Sequence, residues 1–206
     1  RFSLFDENHA ATGGAIYVFG HRALLDNSTF EKDTATDGGA IYVLGWGTSI
    51  SNSTILDCDA TTNGGAIDVE GGGTLIESTT FDSCDSLKGA GGSIYIAGPY
   101  TTIDNSNFTD STSNTNGGAI LVAGDYTNIR GSNFEECIAK GSSNLNGGGA
   151  IYVSGQETHI SSSNFTNNKV NNNNAYGGTI YLDGYKATID GSNFNNSFAN
   201  VGGIKS

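Results

Sequence analysis

One phrase, Gly-Gly-Ala-Ile-Tyr-Val-x-Gly, recurs along this chain and limits what it can fold into. It stands at Gly13 to Gly20 and at Gly38 to Gly45. With small substitutions it returns at Gly64 to Gly71, Gly91 to Gly98, Gly117 to Gly124, Gly148 to Gly155 and Gly177 to Gly184. Gly202-Gly203-Ile204 repeats its opening. Self-similarity with a period of 25 to 31 residues marks stacked units, each of which buries its faces against its neighbours. The second glycine of each pair is a natural marker: Gly14, Gly39, Gly65, Gly92, Gly118, Gly149 and Gly178. Sixteen residues after each comes Phe30, Ile55, Phe81, Phe108, Phe134, Phe165 or Phe194. The spacing from there to the next marker varies: 9, 10, 11, 10, 15, 13 and 9 residues. Each unit therefore has one part of fixed length and one variable loop.

Within the fixed part, apolar residues alternate. Ile16, Ile41, Ile67, Ile94, Ile120, Ile151 and Ile180 form one column; Val18, Val43, Val69, Ile96, Val122, Val153 and Leu182 form the next, two residues on. Period two with β-branched residues means a strand with that face buried. Leu25, Ile50, Ile76, Ile103, Ile129, Ile160 and Ile189 mark a second strand, and the Phe/Ile column a third. Three short strands per coil with glycine at the corners is the pattern of a parallel β-helix. A leucine-rich repeat needs helical or Leu-x-x-Leu segments, which are missing here, and a propeller blade needs four strands and a longer period. Stacked coils rise by about 4.8 Å each, so seven give a rod of roughly 35 Å.

Composition narrows the partners. The formal charge is −12, with nine basic residues scattered singly, so the basic patch that phosphate binding requires is missing and nucleic acid is not an expected partner. No apolar run reaches the ~20 residues that span a bilayer as a helix. Arg1 opens a mixed segment with no apolar signal region. Both ends fall partway through a repeat, as expected for a piece of a longer protein.

The residues also carry a resemblance. Gly-Gly-Ala-Ile followed by Phe-x-x-Asn, as in Phe5-Asp6-Glu7-Asn8 and Phe165-Thr166-Asn167-Asn168, resembles the repeat pair of the chlamydial polymorphic outer membrane proteins. The longer phrase Gly-Gly-Ala-Ile-Tyr-Val with Asp26-Asn27-Ser28-Thr29-Phe30 resembles adhesin-like surface proteins of methanogenic archaea. The chain departs from the Asn position at Asp33, Cys58, Cys84, Ser111, Cys137 and Ser197. The resemblance implies a right-handed parallel β-helix on a cell surface and carries over no catalytic residue. The expected fold is thus all-β: one right-handed solenoid over residues 1–206, about seven coils of 25–31 residues with three short strands each.

Several residues are candidates for function. Tyr17, Tyr42, Tyr95, Tyr152 and Tyr181 lie between the Ile and Val columns, with Asp68 and Leu121 at the same position. Alternation turns them outward, where they stack as scaffold or form an aromatic stripe for sugars or a partner. Asp68 and Glu70 share that face, a loose candidate for calcium or for acid–base chemistry against the ordinary reading of a solvated edge. The two longest loops, Ile138 to Gly147 with Asn144 and Leu145, and Lys169 to Tyr176 with Asn171, Asn172, Asn173 and Asn174, occupy one corner of consecutive coils. They are recognition loops or harmless insertions. Asn27, Asn52, Asn107, Asn164 and Asn195 open Asn-x-Ser/Thr sequences that glycans can occupy. Cys58, Cys84 and Cys137 share one column and read as buried free thiols, although one strand spacing leaves room for a Cys58–Cys84 disulfide. His9, His21 and His159 are dispersed and read as surface residues. No Cys-x-x-Cys and no paired His suggests zinc, and no cofactor is expected.

These features point to a non-enzymatic, extracellular, adhesin-like module contacting cell-surface glycans or proteins. The first alternative is a structural subunit whose copies stack end to end into a fibre or sheath through open strand edges. The second is a polysaccharide lyase or hydrolase, for which the columns supply no acidic cleft.

Overall fold

A computed structural model describes residues 2–141, 147–172 and 174–199, with the backbone of 204–205. Regular structure among the described residues is entirely β, and the strands wind into a parallel β-solenoid of about seven coils. One coil shows the plan. Ile41–Val43 is followed by a turn at Gly47, strand Ser49–Ser51, a turn at Asn52, strand Thr54–Leu56, a turn at Asp57 and the short strand Asp59–Ala60. A loop then leads to Gly64 and the next coil. Each strand pairs in parallel with its own copy one coil away, giving two sheets of eight strands, one of seven and one of six.

The fourth strand corrects the expected three per coil. Its buried residues are small and mixed (Ala35, Ala60, Ser86, Ser113, Ala139 and Val170), so they carry no alternation of large apolar side chains. Glycine also holds fewer corners than expected. Three of the four turns per coil are made largely by other residues at positive φ, among them Arg22 (57°), Asn27 (50°), Asn52 (49°), Lys32 (53°), Asp57 (50°) and Glu136 (57°). The left-handed conformation costs roughly 1–2 kcal/mol for a residue with a Cβ. Here it aims the N–H of the turn residue at the next coil: Asn52 N–H donates to Glu77 O at 3.1 Å and Asp57 N–H to Asp82 O at 3.0 Å. The bonds to the neighbouring coil offset the strain.

The core is a set of in-register columns. Phe5, Phe30, Ile55, Phe81, Phe108, Phe134, Phe165 and Phe194 are Cα partners in sequence. From Phe81 to Phe194 the rings stack nearly parallel, with centroids 4.7 to 4.9 Å apart. That matches the spacing between paired strands. The Ile and Val columns of the first two sheets face the same interior. Polar side chains inside it are ordered by the same register. Ser53, Ser106, Ser132, Ser163 and Ser192 each accept, on Oγ, the backbone N–H of the corresponding residue one coil earlier, at 3.1 to 3.2 Å. Asn168 accepts Cys137 N–H at 3.0 Å and donates to Phe134 O at 3.0 Å. Cys58, Cys84 and Cys137 are buried and unbonded to one another, and Cys58 and Cys137 have thiols pushed up to about 12, chiefly by burial.

The paired glycines answer two different needs. Gly38 has φ of 61°, which begins the tight turn into the strand. Gly39 faces its own copy so closely that a Cβ would lie 1.9 Å from Gly65 O, and Gly65 repeats this with Gly92 O at 2.1 Å. No side chain fits there unless the coils separate.

Gly65→Ala is therefore expected to cost more than about 3 kcal/mol or to prevent folding, whereas Gly20→Ala, with nothing within 4 Å of its Cβ, should stay within about 0.5 kcal/mol. Urea unfolding followed by circular dichroism distinguishes the two. A thiol titration under native conditions should find all three cysteines unreactive until denaturant is added, because each is buried.

Candidate functional site

Each Ile-Tyr-Val strand ends at a glycine and leads into a two-residue turn: His21-Arg22, Trp46-Gly47, Gly72-Gly73, Pro99-Tyr100, Asp125-Tyr126, Gln156-Glu157 and Tyr185-Lys186. The second residue of each turn has positive φ, 57° at Arg22 and 61° at Tyr100. Its N–H donates to the carbonyl of the first turn residue of the next coil, as Arg22 does to Trp46 O (2.7 Å), Gly73 to Pro99 O (2.8 Å) and Tyr126 to Gln156 O (2.9 Å). With the backbone occupied in this way, the turn side chains are left outside the barrel of strands.

Large aromatic groups collect on this corner. Trp46 is 52 % exposed, and Tyr100, Tyr126 and Tyr185 are exposed as well. Tyr100 and Tyr126 stack with centroids 4.9 Å apart, and Lys186 Nζ lies 5.3 Å from the Tyr185 ring centroid. Phe19 and Leu44, just before the closing glycines, add exposed apolar surface beside it. Around Trp46 the corner opens into a cleft of about 460 Å³ lined by His21, Arg22, Trp46, Gly47 and Gly73. Sequence reasoning passed over this edge because the aromatic residue alternates between the first and second turn position. The signal that could have found it is the two residues after each closing glycine.

The expected tyrosine stripe lies elsewhere and is largely covered. Tyr17 is exposed and stacks on Tyr42 at 5.2 Å, while Tyr42 and Tyr95 are half-buried. Tyr152 and Tyr181, stacked at 5.2 Å, retain only 7 % and 9 % of their surface. They form a small outer cluster with Leu121 and Ala90, against which Tyr95 and Tyr176 pack. Alternation places the column outward as expected. Ala90 and Tyr176, from the variable loops, then fold over it and remove it as a continuous exposed stripe.

The long loops are correspondingly less free than expected. Asn171 and Asn174 are exposed, but Asn172 donates to Gly141 O, and Ala175 is buried with Val170 and Ala139. Tyr176 sits 6.3 Å from the Tyr181 ring. Asn144, Leu145 and Asn173 lie outside the described residues. The five sequon asparagines are all exposed. Asn27 and Asn52 occupy left-handed corners, whereas Asn107 and Asn164 belong to a side-chain ladder. In that ladder Asn133 Nδ2 donates to Asn107 Oδ1 and Asn164 Nδ2 to Asn133 Oδ1, each at 2.8 Å.

Asp68 is a second correction. It was expected on a solvated face with Glu70. Glu70 is exposed, but Asp68 is only 2 % exposed, between its register partners Tyr42 and Tyr95. Its Oδ1 has no hydrogen-bond partner. Burial, then the charges of Glu70 and Asp37, push its carboxyl up to about 8. Burial, with Asp68 next, pushes Tyr42 up to about 12. Asp68 is therefore not on the solvated face that was to hold calcium or carry acid–base chemistry with Glu70. Among the described residues no group of three or more His, Cys, Asp or Glu could hold a metal ion.

A family model described as the Chlamydia polymorphic membrane protein (Chlamydia_PMP) repeat matches residues 2–18. That segment contains Phe5-Asp6-Glu7-Asn8 and Gly13-Gly14-Ala15-Ile16, a copy in which both short motifs are complete. No curated protein and no solved structure matches the chain.

A carboxyl raised on folding is neutral in the folded chain over a range where it is ionised in the unfolded one. Asp68 should therefore lower stability progressively as pH rises from about 4 to about 8, with no further change above that. Asp68→Asn is expected to melt higher than the parent at pH 8.5, by about 1–3 kcal/mol, and to differ little at pH 4. Thermal melts at the two pH values check the sign.

Proposed function

We propose that this chain is a non-enzymatic, surface-displayed attachment module that contacts glycans or other envelope components through the aromatic corner. The observation that carries the reading is the row of exposed rings at Trp46, Tyr100, Tyr126 and Tyr185, all on one edge of a rod. Exposed rings on a rigid frame supply contact area at small entropic cost, and their faces stack on the C–H faces of sugars. The repeat matched at residues 2–18 and the solenoid architecture both fit a surface module.

The corner replaces the covered tyrosine column as the contact surface. The paired-glycine ladder keeps it straight, since the turns are hydrogen-bonded from coil to coil. Single turn residues can change without disturbing the ladder, as the mixture of Arg, Gly, Tyr, Glu and Lys at the second turn position shows.

The protein immobilised on beads should retain whole cells or surface polysaccharides from a mixed panel. Tyr100→Ser with Tyr126→Ser should weaken that retention at least about tenfold while leaving the circular dichroism spectrum unchanged. Full retention by the double variant removes the corner from the reading. Failure of the parent protein to retain any cell or polysaccharide removes attachment itself.

A further inference from the structure

The cleft at Trp46 has a more specific chemistry than the rest of the corner. Its floor is made by omitting side chains. The second turn position carries Arg22, then Gly47 and Gly73, then Tyr100, so two consecutive coils add no side chain between a guanidinium and a phenol ring, and the Arg22 stem lies over Gly47, its Cγ 3.6 Å from where a Gly47 Cβ would stand. Three coil steps separate Arg22 from Tyr100, about 14 Å at one strand spacing per coil. A Cβ on Gly73 would meet only the Gly47 backbone at ordinary contact distance, 3.7 to 3.8 Å, so the gap is not forced by crowding. The wall of the slot is Trp46. Its benzo ring lies against Gly72, whose Cβ would fall 2.7 Å from the ring, and the indole remains half exposed. A third glycine therefore seats the indole.

The polar side-chain groups on the lining residues are donors. Arg22 presents a guanidinium, which has no acceptor. Lys32, Arg130 and Lys186 are held by Glu31, Asp104 and Glu157, while Arg22 is in no ion pair among the described residues. His21 accepts the Trp46 backbone N–H on Nδ1 at 3.0 Å, which leaves Nε2 as the donor of the neutral ring. The Trp46 indole N–H can only donate. Among the described residues no carboxylate lines the cleft, in a chain whose net charge is −12.

We infer that the Trp46 cleft binds an acidic sugar, a uronate residue of an extracellular polysaccharide, with the pyranose face on the indole and the carboxylate on Arg22 and His21. A ring face requires a flat, C–H-bearing partner, and a set of donors without acceptors requires a partner rich in acceptors. A uronate meets both requirements, whereas a neutral hexose leaves the guanidinium facing hydroxyls. The cleft is lined from Arg22 to Gly73, two coil steps or about 10 Å, so it takes one to two sugar residues of a chain lying along the stack axis. The inference rests on the reading of the aromatic corner as a contact surface and names the class of ligand for part of it.

The test is isothermal titration with uronate tetrasaccharides from polygalacturonate, alginate and hyaluronan, each beside its carboxyl-reduced neutral counterpart. Three variants test it, each placing at its column a residue already found there; the two changes to glycine add no backbone strain, and Gly73→Tyr carries the left-handed strain that Tyr100 already bears at positive φ. Arg22→Gly copies Gly47, Trp46→Gly copies Gly72, and Gly73→Tyr copies Tyr100 and fills the slot. At least one uronate chain should bind about tenfold or more tightly than its neutral counterpart, with affinity falling as salt rises. Arg22→Gly should abolish the preference, and Trp46→Gly and Gly73→Tyr should abolish binding. Equal binding of acidic and neutral chains, or a preference that survives Arg22→Gly, overturns the acidic-sugar assignment and leaves attachment through the corner standing. So does the absence of uronate binding in a protein that still retains cells through Tyr100 and Tyr126. Absence of both kinds of binding overturns the two readings together.

Discussion

The structure depends on one constraint: every residue in the fixed part of a coil must sit one strand spacing above its own copy. Parallel pairing in register imposes it, and the stacked phenylalanine centroids show it directly at 4.7 to 4.9 Å. At that distance a position is judged by whether it tolerates itself. Phenylalanine stacks on phenylalanine, serine hydroxyls accept the preceding coil's N–H, and asparagine amides bond to asparagine carbonyls. The second glycine of the pair is the severest case, because carbonyl oxygen and Cα approach until even a methyl group is excluded. Like charges in one column are the opposite case. The carboxyl of Asp110 is raised by burial and by Glu136 on the next coil, although the corner is open to water.

This constraint also explains how much of the fold was legible. The Ile, Val and Phe columns announce themselves because a large apolar side chain at a fixed offset has no other use in a chain so rich in glycine, asparagine and serine. The strand at Asp59–Ala60 and its copies stayed hidden. Its buried position takes Ala, Ser or Val, which carry little hydrophobic signal, and it adjoins the loop whose length varies. The number of coils was fixed by spacing alone, whereas the number of sides per coil depends on turns made by Asn, Asp and Lys at positive φ. Those residues look like ordinary surface until the interchain-like bonds between coils are seen.

The site was less legible than the fold, for a different reason. Period two fixes which face a side chain leaves by, and it placed Tyr152 and Tyr181 outward. What then lies on top of them comes from Ala90 and Tyr176 in loops that do not repeat. A periodic argument has no access to a contact made by non-periodic residues. Asp68 is covered too, between its register partners Tyr42 and Tyr95: in an exposed column it would be an ionised surface group, and there burial raises its carboxyl to about 8. The exposed rings at Trp46, Tyr100, Tyr126 and Tyr185 escaped notice because they share a corner without sharing a position.

A solenoid has little freedom to shape a cleft by bending its backbone, because a bend in one coil would break the register of the next. What it can vary is the side chain at each turn. The second turn position runs Arg22, Gly47, Gly73, Tyr100, Tyr126, Glu157 and Lys186 on a nearly invariant backbone conformation, with φ between 52° and 71°. Glycine there does not serve the turn alone, since arginine, tyrosine, glutamate and lysine all adopt the same angle. Its effect at Gly47 and Gly73 is to leave space, and the space is bounded on one side by the exposed indole and on another by a guanidinium that is in no ion pair among the described residues. In such a fold, recognition is written as a sequence of present and absent side chains along one edge, and the ladder of glycines inside keeps their spacing constant.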